Sequence, residues 1–217
     1  MERLADRGGF GVVLLDMQYR MWPELAQWPS SYFYHDLLRS FLPPCWPMDL
    51  IPGFQWPDET PLAFFHVNGS ECVNGTSREN AHEAHAIANV VKAILKAGDI
   101  VPSQIGIISP YEAQCIYLRR HFQADVQVGT VDAFQGQERD LICVSLVRNN
   151  DKNAYGFLSD DRRLNVALTR CKRGLIVVGN AMFWKAGTNH FFSFPSKCAC
   201  ESLGVRLPAN EMDTFRQ

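Results

Sequence analysis

The chain has 217 residues, 47% of them hydrophobic and 20% charged, with a formal net charge of -2 at pH 7. That length suits one domain, or one domain with an appendage, and the near-neutral balance gives no global pull toward nucleic acid or anionic membrane, so a polyanion site has to be a local basic patch. No apolar run approaches the roughly 20 residues that span a bilayer, and the seven cysteines are odd in number and scattered, which favours reduced thiols in a chain expected to work inside the cell, in cytoplasm or nucleus.

Glu2 to Arg7 reads as a frayed helix end, broken by Gly8-Gly9 before Phe10 to Leu15, a continuous apolar run of buried-strand type. Gln18-Tyr19-Arg20-Met21 follow at the carboxyl end of that expected strand. Pro23 suits the first turn of a helix carrying Leu25, Trp28, Tyr32 and Phe33. From His35 to Pro61 the prolines Pro43, Pro44, Pro47, Pro52 and Pro57 forbid long regular elements and leave an ordered loop pinned by aromatics. Asp58-Glu59 within it has no apolar strand to aim it and reads as surface.

Pro61 to Val67 is a strand. A turn-rich segment follows, in which Asn68-Gly69-Ser70 and Asn74-Gly75-Thr76 read as turns rather than glycosylation sites. The helix from about Glu79 to Ala97, closed by Gly98, buries Ala84, Ile87, Ala88, Val91, Ile94 and Leu95 at helical spacing and leaves His82 and His85 on its wet face. Ile105 to Ile108 is a strand ending at Ser109-Pro110-Tyr111, and a helix runs from Glu112 to about Phe122. Val126 to Val131 is a strand ending at Asp132 to Glu138; Leu141 to Val147 and Leu175 to Val178 are further strands.

Between those last two lies Arg162 to Arg173, with five cations in twelve residues and Leu164, Ala167 and Leu168 as a buried stripe behind Ser159, Asp160 and Asp161 as caps. Phe191, Phe192, Phe194 and Leu203 are expected to pack a last helix, with a frayed end from Leu207. Cys198-Ala199-Cys200 has the wrong spacing for zinc, and no metal site is expected.

Strands alternating with helices imply right-handed crossovers and an α/β fold, a mostly parallel sheet covered on both faces. Ligands gather outside the carboxyl ends of such strands, where Gln18-Tyr19-Arg20, Ser109-Pro110-Tyr111 and Asp132 to Glu138 are expected. Arg20 and Arg170 are permanently charged forks able to bracket a phosphate; the plain alternative for each is an ion pair at a domain surface. Tyr19 offers a face for a base, and Gln135 and Glu138 can hydrogen-bond a sugar or a phosphate-linked water. No G-x-x-x-x-G-K-[ST] loop and no apolar strand ending in Asp-Glu is present to cradle phosphates or magnesium, so the chain has cationic fingers and no phosphate loop of its own.

Gln18-Tyr19-Arg20-Met21, Thr130 to Gly136 and Leu164 to Arg170 resemble, in order and spacing, motifs of the second RecA-like domain of superfamily 1 helicases, most of all the nonsense-mediated-decay RNA helicase and senataxin-like group. The similarity runs from about Glu2 to Asn180. Trp22 departs from it, standing where the group usually has His, and the segment between Phe122 and Val126 is short.

The resemblance implies a RecA-like three-layer sandwich over residues 1–182, the second motor domain, with 183–217 as a C-terminal extension. It implies that Tyr19 stacks on adenine, that Arg20 and Arg170 reach the γ-phosphate as arginine fingers, and that Gln135, Gly136 and Glu138 line the phosphate and ribose side. Ser109, Pro110, Tyr111 and Thr130 would face single-stranded RNA or DNA, contacting mainly its backbone. ATP with Mg2+ would be held on a first RecA-like domain of the same protein, which is expected to act as a monomer travelling 5′ to 3′, the piece alone being inactive. The alternative is a non-catalytic interaction module derived from a helicase half.

Overall fold

A computed structural model describes residues 13–185 apart from 45, 48, 123, 124 and 153. The expected helix end over Glu2 to Arg7, the first half of the expected first strand, and the aromatic tail beyond 185 lie outside these residues. Of the first apolar run, Val13, Leu14 and Leu15 are described; they form no strand and are 83%, 45% and 85% exposed.

The centre is a five-stranded sheet. Its strands are β3 (Leu62–His66), β6 (Ile105–Ser109), β7 (Gln127–Thr130), β8 (Arg139–Ser145) and β9 (Cys171–Gly179), in the order β3-β9-β8-β6-β7 with every neighbouring pair parallel. A parallel sheet needs cover on both faces, and its strands alternate sides with a period of two. Ile142 and Val144 of β8, with Leu175 and Val177 of β9, face one hydrophobic core; Leu141, Cys143, Ile176 and Val178 face the other. On the first face lie α1 (Pro23–Phe33), α4 (Asp161–Leu168) and α5 (Ala181–Lys185), which contribute Leu25, Trp28, Leu164, Leu168, Phe183 and Trp184. On the second lie α2 (Ala81–Ala97) and α3 (Glu112–Arg119), through Ile87, Val91, Ile94 and Leu118. Helices on both faces of a parallel sheet make the RecA-like three-layer α/β sandwich.

Local chemistry sets the element ends. Asn80 caps α2 by accepting from the Glu83 amide at 3.3 Å, and Gly98 closes the helix in the left-handed region at φ 81°. Asp160 caps α4 by accepting from the Arg162 amide at 3.0 Å. The proline-rich loop is pinned by aromatics as expected: Trp56 is buried and its indole donates to the Ile51 carbonyl at 2.7 Å, while Phe54 packs edge-on against it. Asp58 and Glu59 lie on the outside of that loop, both exposed.

Two small sheets complete the fold. β1 (Met17–Gln18) pairs in parallel with β2 (Arg39–Ser40). β4 (Cys72–Asn74) and β5 (Ser77–Glu79) form an antiparallel hairpin over the Gly75-Thr76 turn, where the sequence promised only turns.

The connection from β7 to β8 is short and crosses over β6. Phe134, fully buried within it, packs directly on the β6 backbone, and a Cβ added at Gly106 would stand 2.7 Å from the Phe134 ring. Glycine at 106 is what lets the crossover lie this close.

Candidate functional site

The polar groups that the sequence places together at one edge fall at two. The segment 131–138 leaves the carboxyl end of β7 and arrives at the amino end of β8. There, Arg139 pairs with Cys171, and the Arg139 amide donates to the Arg170 carbonyl at 3.0 Å. One cluster therefore stands at the amino ends of β8 and β9, and a second at the carboxyl ends of β6, β7 and β8.

At the amino edge, Arg20 Nε donates to Glu138 Oε2 at 2.8 Å and Arg20 Nη1 to the Thr169 carbonyl at 2.8 Å. Lys172 Nζ holds the other carboxylate oxygen, Glu138 Oε1, at 2.8 Å. Hydrogen bonds from Lys172 and Arg20 keep the Glu138 carboxyl below its usual range. Arg170 turns back along α4, donating from Nε to the Val166 carbonyl at 3.0 Å and from Nη2 to Thr169 Oγ1 at 3.2 Å. Its pKa is lowered by burial first and then by the charge of Arg20. Three cations thus face one carboxylate, leaving a positive excess.

Arg20 reaches this place because its turn is tied twice. Gln18 Oε1 accepts from the amides of Arg20 and Met21 at 2.9 and 2.8 Å while its Nε2 donates to the Met21 carbonyl, and the Trp22 amide extends the ladder by donating to the Lys172 carbonyl at 3.1 Å. Trp22, the residue that departs from the helicase pattern, is buried and donates its indole N–H to the Pro47 carbonyl at 3.1 Å. Tyr19 is 64% exposed beside Phe41, at a ring separation of 5.6 Å. Gln135 and Gly136 are exposed on the arriving loop, with Gly136 at φ 79°.

The Arg20–Glu138 pair is loosely held, its side chains 32% and 42% exposed. Ion pairs this open contribute about 0–1 kcal/mol, so an incoming phosphate can take Arg20 from Glu138 at little cost. The surface ion pair foreseen as the plain reading of Arg20 is present, and its weakness leaves the guanidinium available. Of the other cations in the basic stretch, Arg173 is buried against Asp99 at 2.9 Å, and Arg163 lies over the Phe157 ring at 3.7 Å toward the start of α4. They do not join the cluster.

At the carboxyl edge, Ser109 pairs with Thr130 across β6 and β7. Ser109 and Pro110 are buried; the Ser109 hydroxyl accepts from the Tyr111 amide at 3.4 Å, and the Thr130 hydroxyl from the Ala133 amide at 3.4 Å. Tyr111 and Thr130 are partly exposed. Beside them lies a buried polar group that the sequence reading missed. Glu83 is fully buried; its Oε2 accepts from the Ser145 hydroxyl at 2.7 Å and the Val147 amide at 2.9 Å, and Gln114 donates to the same Ser145 hydroxyl at 2.9 Å. Burial pushes the Glu83 carboxyl up to about 8 against these hydrogen bonds. Among the described residues, no group of three or more His, Cys, Asp or Glu is placed to hold a metal ion.

The chain is thus a RecA-like α/β sandwich with a cationic edge, and its sequence carries no phosphate-binding loop. The chain belongs to the AAA domain family, whose profile matches residues 1–182. It is 44% identical over 180 residues to the regulator of nonsense transcripts 1 homolog of Drosophila melanogaster, covering 76% of this chain and 15% of that protein. Against the ATP-dependent helicase NAM7 of Saccharomyces cerevisiae it is 39% identical over 194 residues, covering 82% of this chain and 20% of the relative. The chain therefore spans about a fifth or less of the curated relatives named here, and the likeness to the nonsense-mediated-decay helicase group drawn from its motifs is borne out. The solved PRRSV nsp10 helicase overlaps 82% of this chain and 25% of its own at 15% identity and a TM-score of 0.33, too slight a likeness to carry an argument.

Proposed function

We propose that this chain is the second motor domain of an ATP-dependent superfamily 1 helicase acting on single-stranded RNA or DNA. What supports this most is the convergence of Arg20, Arg170 and Lys172 on one edge of the sheet, in a chain with no phosphate-binding loop. ATP is the substrate, held with its Mg2+ on a first RecA-like domain whose own carboxylates would ligate the metal. The metal would polarise the terminal phosphate.

In this reading Arg20 exchanges Glu138 for the γ-phosphate as the two domains close. Arg170 releases the Val166 carbonyl and Thr169 and adds a second charge where negative charge develops, the kind of contact worth orders of magnitude in other nucleotide hydrolases. Tyr19 gives a stacking face to the base. Gln135, Gly136 and Glu138 lie on the phosphate and ribose side. Ser109 and Pro110 shape the turn that offers Tyr111, with Thr130, to the strand. Closing on ATP and reopening after hydrolysis would move the domains along the strand, 5′ to 3′ by analogy with the group. The fragment alone is inactive, because the phosphate loop and the metal carboxylates stand elsewhere.

In the complete protein, Arg170→Ala is expected to lower the hydrolysis rate by about three orders of magnitude or more with strand affinity nearly kept. Equal losses of rate and affinity would assign Arg170 to the strand instead.

A further inference from the structure

At the carboxyl end of β8, Val147 has φ 68°, a left-handed conformation that a β-branched residue adopts only when its surroundings impose it. The Arg148 amide donates to the Leu146 carbonyl at 2.7 Å, closing a γ-turn with Val147 at its centre. Both polar groups of Val147 are held from the start of α2: its amide donates to Glu83 Oε2 at 2.9 Å, and its carbonyl accepts from Asn80 Nδ2 at 3.3 Å. Strain clamped this firmly marks a place where the backbone is forced to deliver something, and the residue delivered by the turn is Arg148.

Arg148 is 4% exposed. Its Nε donates to Glu71 Oε2 at 2.8 Å and its Nη1 to the Tyr111 hydroxyl at 3.2 Å. Glu71 Oε2 also accepts from the Asn149 amide at 3.0 Å and Asn150 Nδ2 at 3.1 Å. Burial pulls the Glu71 carboxyl upward, but these donors together hold it below its usual range. Gly156, at φ 59°, closes the back of this arrangement, since a Cβ there would collide with the Arg148 guanidinium and stand 2.7 Å from the Tyr111 hydroxyl.

We infer that Arg148 is a positioning residue for the single-strand site: delivered by the clamped γ-turn and anchored on Glu71, it fixes the Tyr111 ring at the carboxyl edge of the sheet by hydrogen-bonding its hydroxyl. The inference rests on the proposed reading of Tyr111 as strand-facing. Arg148 itself is not offered to a phosphate, because its guanidinium is buried and paired with Glu71 and Tyr111.

The test uses the complete protein and a fluorescent oligouridine, with affinity measured over a range of salt. Tyr111→Phe, which removes only the hydroxyl, and Arg148→Met are each expected to weaken binding by about tenfold, on the order of one hydrogen bond to a charged group, and the double variant by no more than either alone. The dependence of affinity on salt is expected to stay that of the wild type, since no phosphate contact is lost. Arg148→Lys keeps the charge and loses the fork, and is expected to behave as Arg148→Met. The KM for ATP, measured without oligouridine, should not move in Arg148→Met or Arg148→Lys.

A reduced salt dependence with Arg148→Lys behaving as wild type would make Arg148 a phosphate ligand and overturn the inference. So would wild-type affinity in Tyr111→Phe, a variant that leaves the Arg148–Glu71 anchor in place. A folded wild-type protein that binds neither oligouridine nor oligothymidine overturns the functional reading and this inference with it.

Discussion

Replacing Glu83 with glutamine isolates the free energy of a buried carboxyl. The group is fully buried, and it titrates at about 8 instead of the ordinary 4.5. Between those two values the folded chain holds a proton that the unfolded chain has lost, so unfolding releases it and stability falls as pH rises. The slope is at most about 1.4 kcal/mol per pH unit, and the contribution is fully present below about 4.5 and exhausted above about 8. The substituted amide keeps a carbonyl oxygen for the Ser145 hydroxyl and the Val147 amide and carries no titrating proton. Across the three units from about pH 5 to about pH 8, the wild type should therefore lose about 4 kcal/mol relative to Glu83→Gln. Urea unfolding of the 217-residue chain and its variant, followed by far-UV circular dichroism at several pH values in this range, reads the difference directly. Parallel pH profiles, or a wild type that gains on the variant as pH rises, would refute the reasoning.

Gly106→Val places a branched side chain against the Phe134 and Ile142 side chains and should destabilise the chain by about 1–3 kcal/mol, read as a lower urea midpoint with unchanged slope. Two ion pairs should separate by burial: Glu71→Ala strands the nearly buried Arg148 and should cost about 3–5 kcal/mol, whereas Glu138→Ala, from a pair 32% and 42% exposed, should cost less than about 1 kcal/mol. Equal losses from the two substitutions would contradict the weak hold on Arg20.

The sheet was legible because its strands are buried on both faces. Ile105 to Ile108 and Leu175 to Val178 are continuous apolar runs for that reason, and Asn80 and Gly98 mark the ends of α2 by their cap chemistry. The same rule misled at Val13 to Leu15, which are apolar, exposed and outside any strand, since composition does not say what covers a run. The hairpin of β4 and β5 escaped notice because its strands are three residues each and largely polar. Glu83 was passed over beside two wet-face histidines, although it stands four residues before Ile87 and eight before Val91, on the apolar stripe of α2. That a carboxylate shares a stripe with Ile87, Val91 and Ile94 was the available signal. The meeting of Arg20 with Glu138 and Arg170 could be read only through the motif resemblance, because a crossover over β6 carries the 131–138 segment from one edge of the sheet to the other. Gly106, the glycine within β6 that admits Phe134, was the one local hint of that crossing.

The central claim is that Arg20 and Arg170 complete an ATP site built on another domain. The most direct test is to prepare the first RecA-like domain of the same protein alone and measure its ATP hydrolysis, with single-stranded RNA present, before and after adding this chain. The account predicts near-background turnover for either piece, a rise on mixing, and no rise when the added chain carries Arg20→Ala or Arg170→Ala. Hydrolysis by this chain alone, or full stimulation by both variants, would contradict it.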